Sequence, residues 1–286
     1  MRAQPGPAAD SSPVEADDGK QGLPDGRPRR VRLILLIVLL RAAADAPIAW
    51  MLLFLHFQRE ASGGLSAAVF NAALFAAFAS SHSALARGLP KRAIASLLGP
   101  DAVRPAQVAI SGVALSSVLY LWRPLAGTLW HATGPAHWIL SLLYLVAVAG
   151  LLYSATFIDY AQFLGIRTLL RSMRGQAPKA PGFSAKGPYA HCRHPMYSFL
   201  LVALWVGPMM TLGRLEFAAL ASLYLFTGTL LEEHNLRQEL GDVYDVYAAN
   251  VPMWIPRLSP WAPADCESTG QHACMPELVT DRGTRT

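Results

Sequence analysis

Charged side chains of the kind that bind small polar ligands cluster in the last third of the 286-residue chain. Arg193 and His194 precede Pro195, which suits the first position of a helix because it has no backbone N–H to leave unpaired. An apolar stretch follows and ends at the pair Glu232 and Glu233. The sequence therefore predicts a helical hairpin that brings a basic pair and an acidic pair to the same face of the protein.

Aromatic side chains accompany these charges, among them Tyr189, Tyr197, Tyr244 and Tyr247. Arginine or histidine could hold a carboxylate, glutamate could hold an amine or ribose hydroxyls, and tyrosine rings could face a sulfonium or a purine. Taken singly, each group also has a simpler interpretation. A basic pair often sits at a membrane edge, a glutamate pair often ends a helix in solvent, and tyrosines often pack neighbouring helices. Only the combination indicates a ligand site.

The composition indicates which elements position these residues. Hydrophobic residues make up 53% of the chain and charged residues 15%, against about 25% charged in a typical soluble domain. The net charge of +5 does not indicate nucleic-acid binding, because the basic residues flank apolar segments. Cys192, Cys266 and Cys274 form neither a disulfide framework nor a metal-ligand pattern, so no metal is expected.

Six apolar segments predict an all-α, polytopic membrane helix bundle: 33–57, 66–86, 106–123, 138–157, 196–211 and 214–231. The first resembles a signal peptide at its start, but its apolar sequence continues far enough to favour a retained membrane helix. The last two segments are short, and Gly207, Pro208 and Gly213 lie near their junction. They predict either two thin spans or a re-entrant hairpin, so five or six spans are expected.

Basic residues alternate along the connections before and between these segments, with four, one, four, one, six and one lysine or arginine in turn. This alternation predicts an integral membrane protein with both termini in the cytoplasm. Residues 1–30 and 259–286 are rich in small and polar residues, and we expect disordered tails there. The membrane domain is predicted over residues 31–258.

The ordered motifs of the C-terminal part resemble those of the isoprenylcysteine carboxyl methyltransferase-like membrane enzymes. They read K-G-P-Y-x-x-x-R-H-P-x-Y over 186–197, E-E-x-x-L over 232–236, G-x-x-Y-x-x-Y over 241–247, and V-P at 251–252. The resemblance implies S-adenosylmethionine as the cofactor. The positions that it implies for cofactor binding are Tyr189, Arg193, His194, Pro195, Tyr197 and Glu232, with Glu233 and Tyr247 as further candidates.

Six more segments are similar to the bacterial methanethiol S-methyltransferase branch, whose members make dimethyl sulfide: Ser81–Arg87, Trp122–Pro124, Thr156–Asp159, Phe163–Arg167, Pro208–Thr211 and Val251–Met253. This similarity implies methylation of a small thiol at a lipid bilayer. That branch tends to have glutamine where this chain has Ser81 and Thr168, so the sequence does not identify which thiol is the acceptor. The alternatives are an isoprenoid, lipid or prenylcysteine carboxylate acceptor, and a non-catalytic protein of the NnrU type.

The expected reaction is an in-line attack of a thiolate on the sulfonium methyl group, in which the protein supplies positioning and a dry cavity. His82 and Arg167 are the candidate catalytic residues, since either could favour the thiolate. The prenylcysteine enzymes carry an arginine where this chain has Gly228, which argues against a carboxylate substrate. We expect an apolar cavity there, lined by Leu225, Leu231, Met209 and Trp205.

Overall fold

The computed structural model describes residues 27–58, 62–177 and 185–262. Its ten helices within these ranges are α1 Arg27–His56, α2 Leu65–Leu85, α3 Gly88–Leu98, α4 Val103–Leu121, α5 Gly134–Ala155, α6 Tyr160–Phe163, α7 Ile166–Met173, α8 Pro195–Trp205, α9 Leu212–Leu240 and α10 Asp242–Asn250. Two short strands, β1 Thr128–His131 and β2 Met209–Thr211, pair with each other. The all-α prediction is confirmed.

Most of the two predicted tails lies outside the described residues, as do Arg59, Lys179, Cys266 and Cys274. Helix α1 begins at Arg27, within the stretch predicted as the N-terminal tail. At the other end the described structure continues to residue 262, four residues beyond the predicted domain boundary.

Five helices are long and apolar enough to cross a membrane: Leu33–His56, Leu65–Leu85, Pro100–Leu121, Gly134–Ala155 and Leu212–Leu240. Large apolar side chains on α1 and α5, such as Leu39 and Leu142, are mostly exposed. Such a surface is costly in water and suits the hydrocarbon of a bilayer. The polytopic membrane prediction is therefore confirmed.

The segment before α9, residues 195–211, crosses the bundle as a short helix followed by a non-helical stretch. Helix α8 has 11 residues and is about 17 Å long, too short to cross a hydrocarbon core of about 30 Å. However, His194 contacts Glu233 of α9, while Thr211 directly precedes α9. Residues 212–233 span about 31 Å of helix. Residues 195–211 must cover the same height. Helix α8 covers about half of it, and residues 206–211 cover the rest without forming a helix. Within the described residues the polypeptide thus passes from one end of the bundle to the other six times, five of them as a long helix.

The extended part of this crossing is stabilised by Arg214, which is fully buried at 0% exposure. Its guanidinium donates to four carbonyls, those of Met209, Ala203, Leu204 and Val206, at 2.7–3.4 Å. Two of these carbonyls belong to the last turn of α8 and two follow it, and the last carbonyls of a helix have no partner within the helix at membrane depth. Gly207 allows the approach, because a Cβ there would lie 2.0 Å from Nη1 of Arg214. Arg214 is the single basic residue that the sequence analysis counted in the last connection, and the structure corrects this, because Arg214 is buried in the first turn of α9.

The connections divide between two faces of the bundle. One face holds β1, β2 and a backbone pairing of Gly63 with Leu125. The other holds α3, α6, α7, the start of α8 and α10, and α7 there packs against the turn Pro100–Ala102. Between the two faces, buried rings close the bundle core: Phe54, Phe75, Phe78, Trp122, Phe217 and Tyr224. The motifs that resemble a methyltransferase site lie at the second face.

Candidate functional site

The segment after α10, residues 251–262, lies along the loop that precedes α8, and we call it the C-terminal strap. Four backbone hydrogen bonds of 2.9–3.1 Å join the two: Arg193 N to Pro252 O, His194 N to Met253 O, Arg257 N to His191 O, and Trp261 N to Ala190 O. Ser198 of α8 also donates to the carbonyl of Trp254 at 2.6 Å. The strap therefore fixes the loop that carries the R-H-P motif, residues 193–195.

Glu233 is the centre of a buried polar group at this face. Its Oε1 accepts hydrogen bonds from Arg193 Nε, His194 Nε2 and Tyr244 OH, each at 2.8 Å. Glu233 is 5% exposed. Nη1 of Arg193 donates further to the carbonyls of Ala248 and Val251, at 2.6 and 2.8 Å. Arg193 thus joins α9, α10 and the strap, so its described contacts are within the protein.

Glu232, the neighbouring glutamate, faces a different environment. Its side chain is 45% exposed, and its Oε2 accepts a hydrogen bond of 3.0 Å from Tyr197 OH. The His194 ring stacks on the Tyr197 ring at 5.6 Å, and Trp254 of the strap lies 6.3 Å from Tyr197. Glu232 is therefore a carboxylate held in place beside aromatic rings and still open to a ligand.

Two other tyrosines of the motif set hold the loop before α8. Tyr247 OH donates to the carbonyl of Tyr189 at 2.6 Å, and the Tyr247 ring packs on Trp261 at 5.5 Å. Burial, together with the charge of Glu232, raises the pKa of Tyr189 to about 12. Burial likewise raises the pKa of Tyr247. Both phenols are therefore neutral at physiological pH. Pro195 opens α8 as predicted and is buried.

A second polar group surrounds His82, at the end of α2. Its Nδ1 lies 2.8 Å from Ser111 Oγ of α4, and its ring lies 6.2 Å from that of Tyr224 on α9. Tyr224, Gly228 and Glu232 are four residues apart and share one face of α9. Glu232 is therefore about 12 Å along the helix from Tyr224, with Gly228 midway.

Arg104, at the start of α4, is a site residue that the sequence analysis missed. Its Nε donates to Phe163 O at 2.7 Å, and its guanidinium lies 4.7 Å from the Phe163 ring centre. It is close enough to Glu232 for the two charges to attract each other. In the sequence Arg104 is one of several basic residues in a loop. Only the packing of α2 against both α4 and α9 distinguishes it from the others.

Arg167, the other candidate catalytic residue, is placed differently. It lies on α7 with its side chain 61% exposed, and it forms an ion pair of 2.8 Å with Asp159. Exposed pairs of this kind contribute little, typically about 0–1 kcal/mol. The described contacts of Arg167 do not include the Glu232, Glu233 or His82 groups, so the structure does not bring it to the site.

Gly228 does adjoin open space, since a Cβ built there would meet no atom within 4 Å. The predicted lining of that space is partly wrong. Met209 lies in β2, about 24 Å along α9 from Gly228. Trp205 donates to Ser222 Oγ at 2.9 Å, on another face of α9. The space is flanked along its own helix face by Tyr224 and Glu232, which are more polar than expected.

Curated proteins of known activity are similar to this chain. Methanethiol S-methyltransferase of Pseudomonas sp. strain GM41 is 32% identical over 192 residues, which cover 67% of this chain and 74% of that protein. The enzyme of the same name from Mycobacterium tuberculosis is 34% identical over 191 residues, covering 66% and 78%. Nurim of Bos taurus is 31% identical over 180 residues, covering 59% and 68%. No family model and no solved structure matches.

The similarity to these proteins agrees with the geometry. About a third of the residues are identical across roughly two thirds of this chain and three quarters of the methyltransferases. The R-H-P-x-Y and E-E motifs, far apart in sequence, meet in one hydrogen-bonded group as the resemblance implied. The nurim match fits the wider isoprenylcysteine methyltransferase-like group. The chain therefore belongs to the methanethiol S-methyltransferase family.

Proposed function

We propose that the protein transfers a methyl group from S-adenosylmethionine to methanethiol, or to a thiol of similar size, and releases dimethyl sulfide or the matching thioether. The observation that carries the proposal is the position of Glu232. This open carboxylate is held by Tyr197 beside the buried Arg193–His194–Glu233 group, and it shares a helix face with the space at Gly228. The names of the similar proteins support methanethiol as the acceptor.

The residues present fit the cofactor. One buried polar atom at the site, Nε1 of Trp254, has no hydrogen-bond partner among the described residues, and Oε2 of Glu233 has only an ion pair of 3.8 Å with Nη2 of Arg237. An unpaired buried atom of this kind costs about 1–3 kcal/mol, which a ligand can recover. Glu232 suits the amine or ribose hydroxyls of S-adenosylmethionine, and Arg104 suits its carboxylate. The rings of Tyr197 and Trp254 suit its sulfonium or purine.

Bound S-adenosylmethionine supplies a methyl group made electrophilic by its positively charged sulfur. The protein holds the reacting groups in position and excludes water from the site. Arg193 and Glu233 fix the relative placement of α8, α9 and the strap, so that Tyr197 and Glu232 are held before a ligand arrives. The strap, with Trp254 and Trp261, covers the loop and limits access of water. Tyr189 and Tyr247 support the same loop.

We also propose that the site faces the cytoplasm, with both termini on that side of the bacterial inner membrane. The face that holds the site carries α3 and α7, which contain Lys91, Arg92, Arg167 and Arg171. Short basic connections favour the cytoplasmic side. A soluble cofactor made in the cytoplasm would reach this face directly.

The test is methyl transfer by the purified protein in lipid nanodiscs, with labelled S-adenosylmethionine and a panel of thiols. We expect turnover of methanethiol and none of a farnesylcysteine. Glu232→Gln should lower turnover at limiting cofactor, whereas Glu239→Gln, the same charge change on an exposed part of α9, should not. Turnover of the farnesylated substrate in preference to methanethiol would contradict the proposed acceptor. An absence of methyl transfer to every thiol would refute the activity.

A further inference from the structure

The space beside Gly228 is a gap in the face of α9 that carries Phe217, Tyr224 and Glu232. Phe217 lies on the same face three turns earlier and is 1% exposed, so this face points into the bundle. Tyr224, one turn before Gly228, contacts Ser83 of α2 at 3.2 Å. Yet a Cβ at position 228 would have no neighbouring atom within 4 Å. Interiors are normally close-packed, so a gap at this position indicates a place for a ligand.

The walls of the gap differ in chemistry between its two ends. At the end near the surface lies Glu232, and the charge of Arg104, at the start of α4, is near enough to attract that carboxylate. At the deeper end lie Tyr224, His82 and Ser111. Arg104 and Ser111 are seven residues, or about 10 Å, apart on one face of α4, which matches the spacing of Glu232 and Tyr224 on α9. The gap therefore extends from the proposed cofactor contacts to a histidine.

We propose that the gap beside Gly228 is the acceptor-thiol pocket, that His82 accepts the thiol proton, and that Ser111 positions the His82 ring. This inference rests on the proposed function. No described residue hydrogen-bonds Nε2 of His82, whereas Nδ1 contacts Ser111. With Nδ1–H donating to Ser111 Oγ, the lone pair of Nε2 is available to a proton donor.

The transfer balances without any further reactant. The thiol proton passes to Nε2 of His82, and the sulfur electron pair forms the new bond to the methyl carbon. The bond between that carbon and the sulfonium sulfur breaks, and its electron pair stays on that sulfur. The donor thereby becomes S-adenosylhomocysteine, whose thioether sulfur is neutral. His82 then returns the proton to water. The rings of Tyr224 and Phe78 beside His82 make this end of the pocket suitable for a soft sulfur atom.

Pocket size sets the class of acceptor. Tyr224 and Glu232 each lie one turn, about 6 Å, from Gly228 along the helix. That spacing accommodates a one- or two-carbon thiol, whereas a longer or branched chain would meet the Tyr224 ring. The absence of a side chain at Gly228 is therefore what admits the acceptor.

The first experiment compares His82→Gln with the wild type in nanodiscs, measuring S-adenosylmethionine affinity by calorimetry and methanethiol turnover against pH. We expect unchanged affinity, and a kcat lowered about 100- to 10,000-fold at pH 7. The variant rate should then rise about tenfold per pH unit below the pKa of the thiol, because it depends on thiolate formed in solution. The other charged or titratable groups facing His82 are Arg104 and Tyr224, and Arg87 acts on Tyr224. The ordinary pKa values of arginine and tyrosine side chains are about 12.5 and 10, so none of these groups changes charge near pH 7.

The second experiment tests Ser111 and Gly228. Ser111→Ala should lower kcat with little change in KM, and Ser111→Thr, which keeps a hydroxyl, should restore most of it. Ser117→Ala is the control, since its Oγ bonds only Val113 O of its own helix. Gly228→Ala meets no atom and should fold normally, yet it should reduce ethanethiol turnover more than methanethiol turnover.

The outcomes separate the two proposals. If the wild type methylates methanethiol and His82→Gln has the same kcat and pH profile, the role of His82 is refuted while the proposed function stands. Lost cofactor affinity in His82→Gln would make His82 part of the cofactor site and would also overturn the assignment. Equal losses for ethanethiol and methanethiol in Gly228→Ala would refute the pocket. A wild type that methylates no thiol refutes both proposals.

Discussion

Substituting each of the adjacent glutamates by glutamine should separate ligand binding from structural support. Glu232→Gln keeps an oxygen that can accept from Tyr197 OH and removes only the charge. A hydrogen bond to a charged group contributes about 1.5–3 kcal/mol, which corresponds to roughly 10- to 150-fold in affinity at 1.4 kcal/mol per factor of ten. Because Glu232 is half-exposed and makes few contacts, we expect S-adenosylmethionine affinity to fall by that factor with little change in thermal stability.

Glu233→Gln should behave in the opposite way. This carboxylate is buried and accepts from Arg193, His194 and Tyr244, so glutamine leaves the Arg193 charge without its counter-ion. Breaking a buried pair typically costs about 3–5 kcal/mol. At about 2–4 °C per kcal/mol for a domain of this size, the unfolding midpoint should drop by on the order of 10 °C. Calorimetric titration and thermal unfolding of both variants in one detergent measure the two effects. Wild-type cofactor affinity in Glu232→Gln, or a wild-type midpoint in Glu233→Gln, would refute the division.

Three further predictions follow from other parts of the molecule. Arg214→Met should lower the free energy of unfolding by about 3 kcal/mol or more, because it leaves several buried carbonyls unpaired; an unchanged midpoint would contradict the capping role. Cys192 should react slowly with iodoacetamide at pH 8 when Cys266 and Cys274 are replaced by serine, because burial raises the pKa of the Cys192 thiol; reaction as fast as a free cysteine would count against this. The same raised pKa favours the neutral thiol in the folded state, so its contribution to stability is lost as pH rises above the ordinary thiol value. Reporter fusions ending in α3 should be cytoplasmic and those ending in β1 external, and the reverse pattern would refute the proposed orientation.

Much of the fold could be predicted because it depends on local composition. Apolar segments of twenty or so residues define the five long spans without reference to tertiary contacts. The crossing before α9 could not be resolved in this way. Its helix stops at Trp205, and the backbone groups that follow bond to β1 and to Arg214. Strand β1 is distant in sequence, and Arg214 looks like an ordinary basic residue of a connection. A basic residue beside an apolar run looks the same whether it snorkels to the surface or caps a buried helix end.

The candidate site was predictable as a set of motifs but not as a division of tasks. That Arg193, His194 and the glutamates would meet follows from a hairpin between two apolar segments. Which glutamate is buried depends on the rotation of α9, since neighbouring residues of a helix point about 100° apart. The contacts of Arg193 with α10 depend on a chain reversal at Gly241, where φ is +56°. Nothing in the sequence around Arg104 distinguishes it from other basic residues. Arg167 is a candidate catalytic residue from the sequence, and its surface ion pair with Asp159 becomes visible only in the structure.

The C-terminal strap has a consequence for biogenesis. Ribosomes make the six crossings in order, and residues 251–262 leave the ribosome after α9. Until the strap docks, the amides of Arg193 and His194 lack the carbonyls that they bond in the finished protein. A nascent chain with every crossing already inserted therefore still lacks the complete candidate site. Docking of the strap on the loop before α8 is the last step in the assembly of that site.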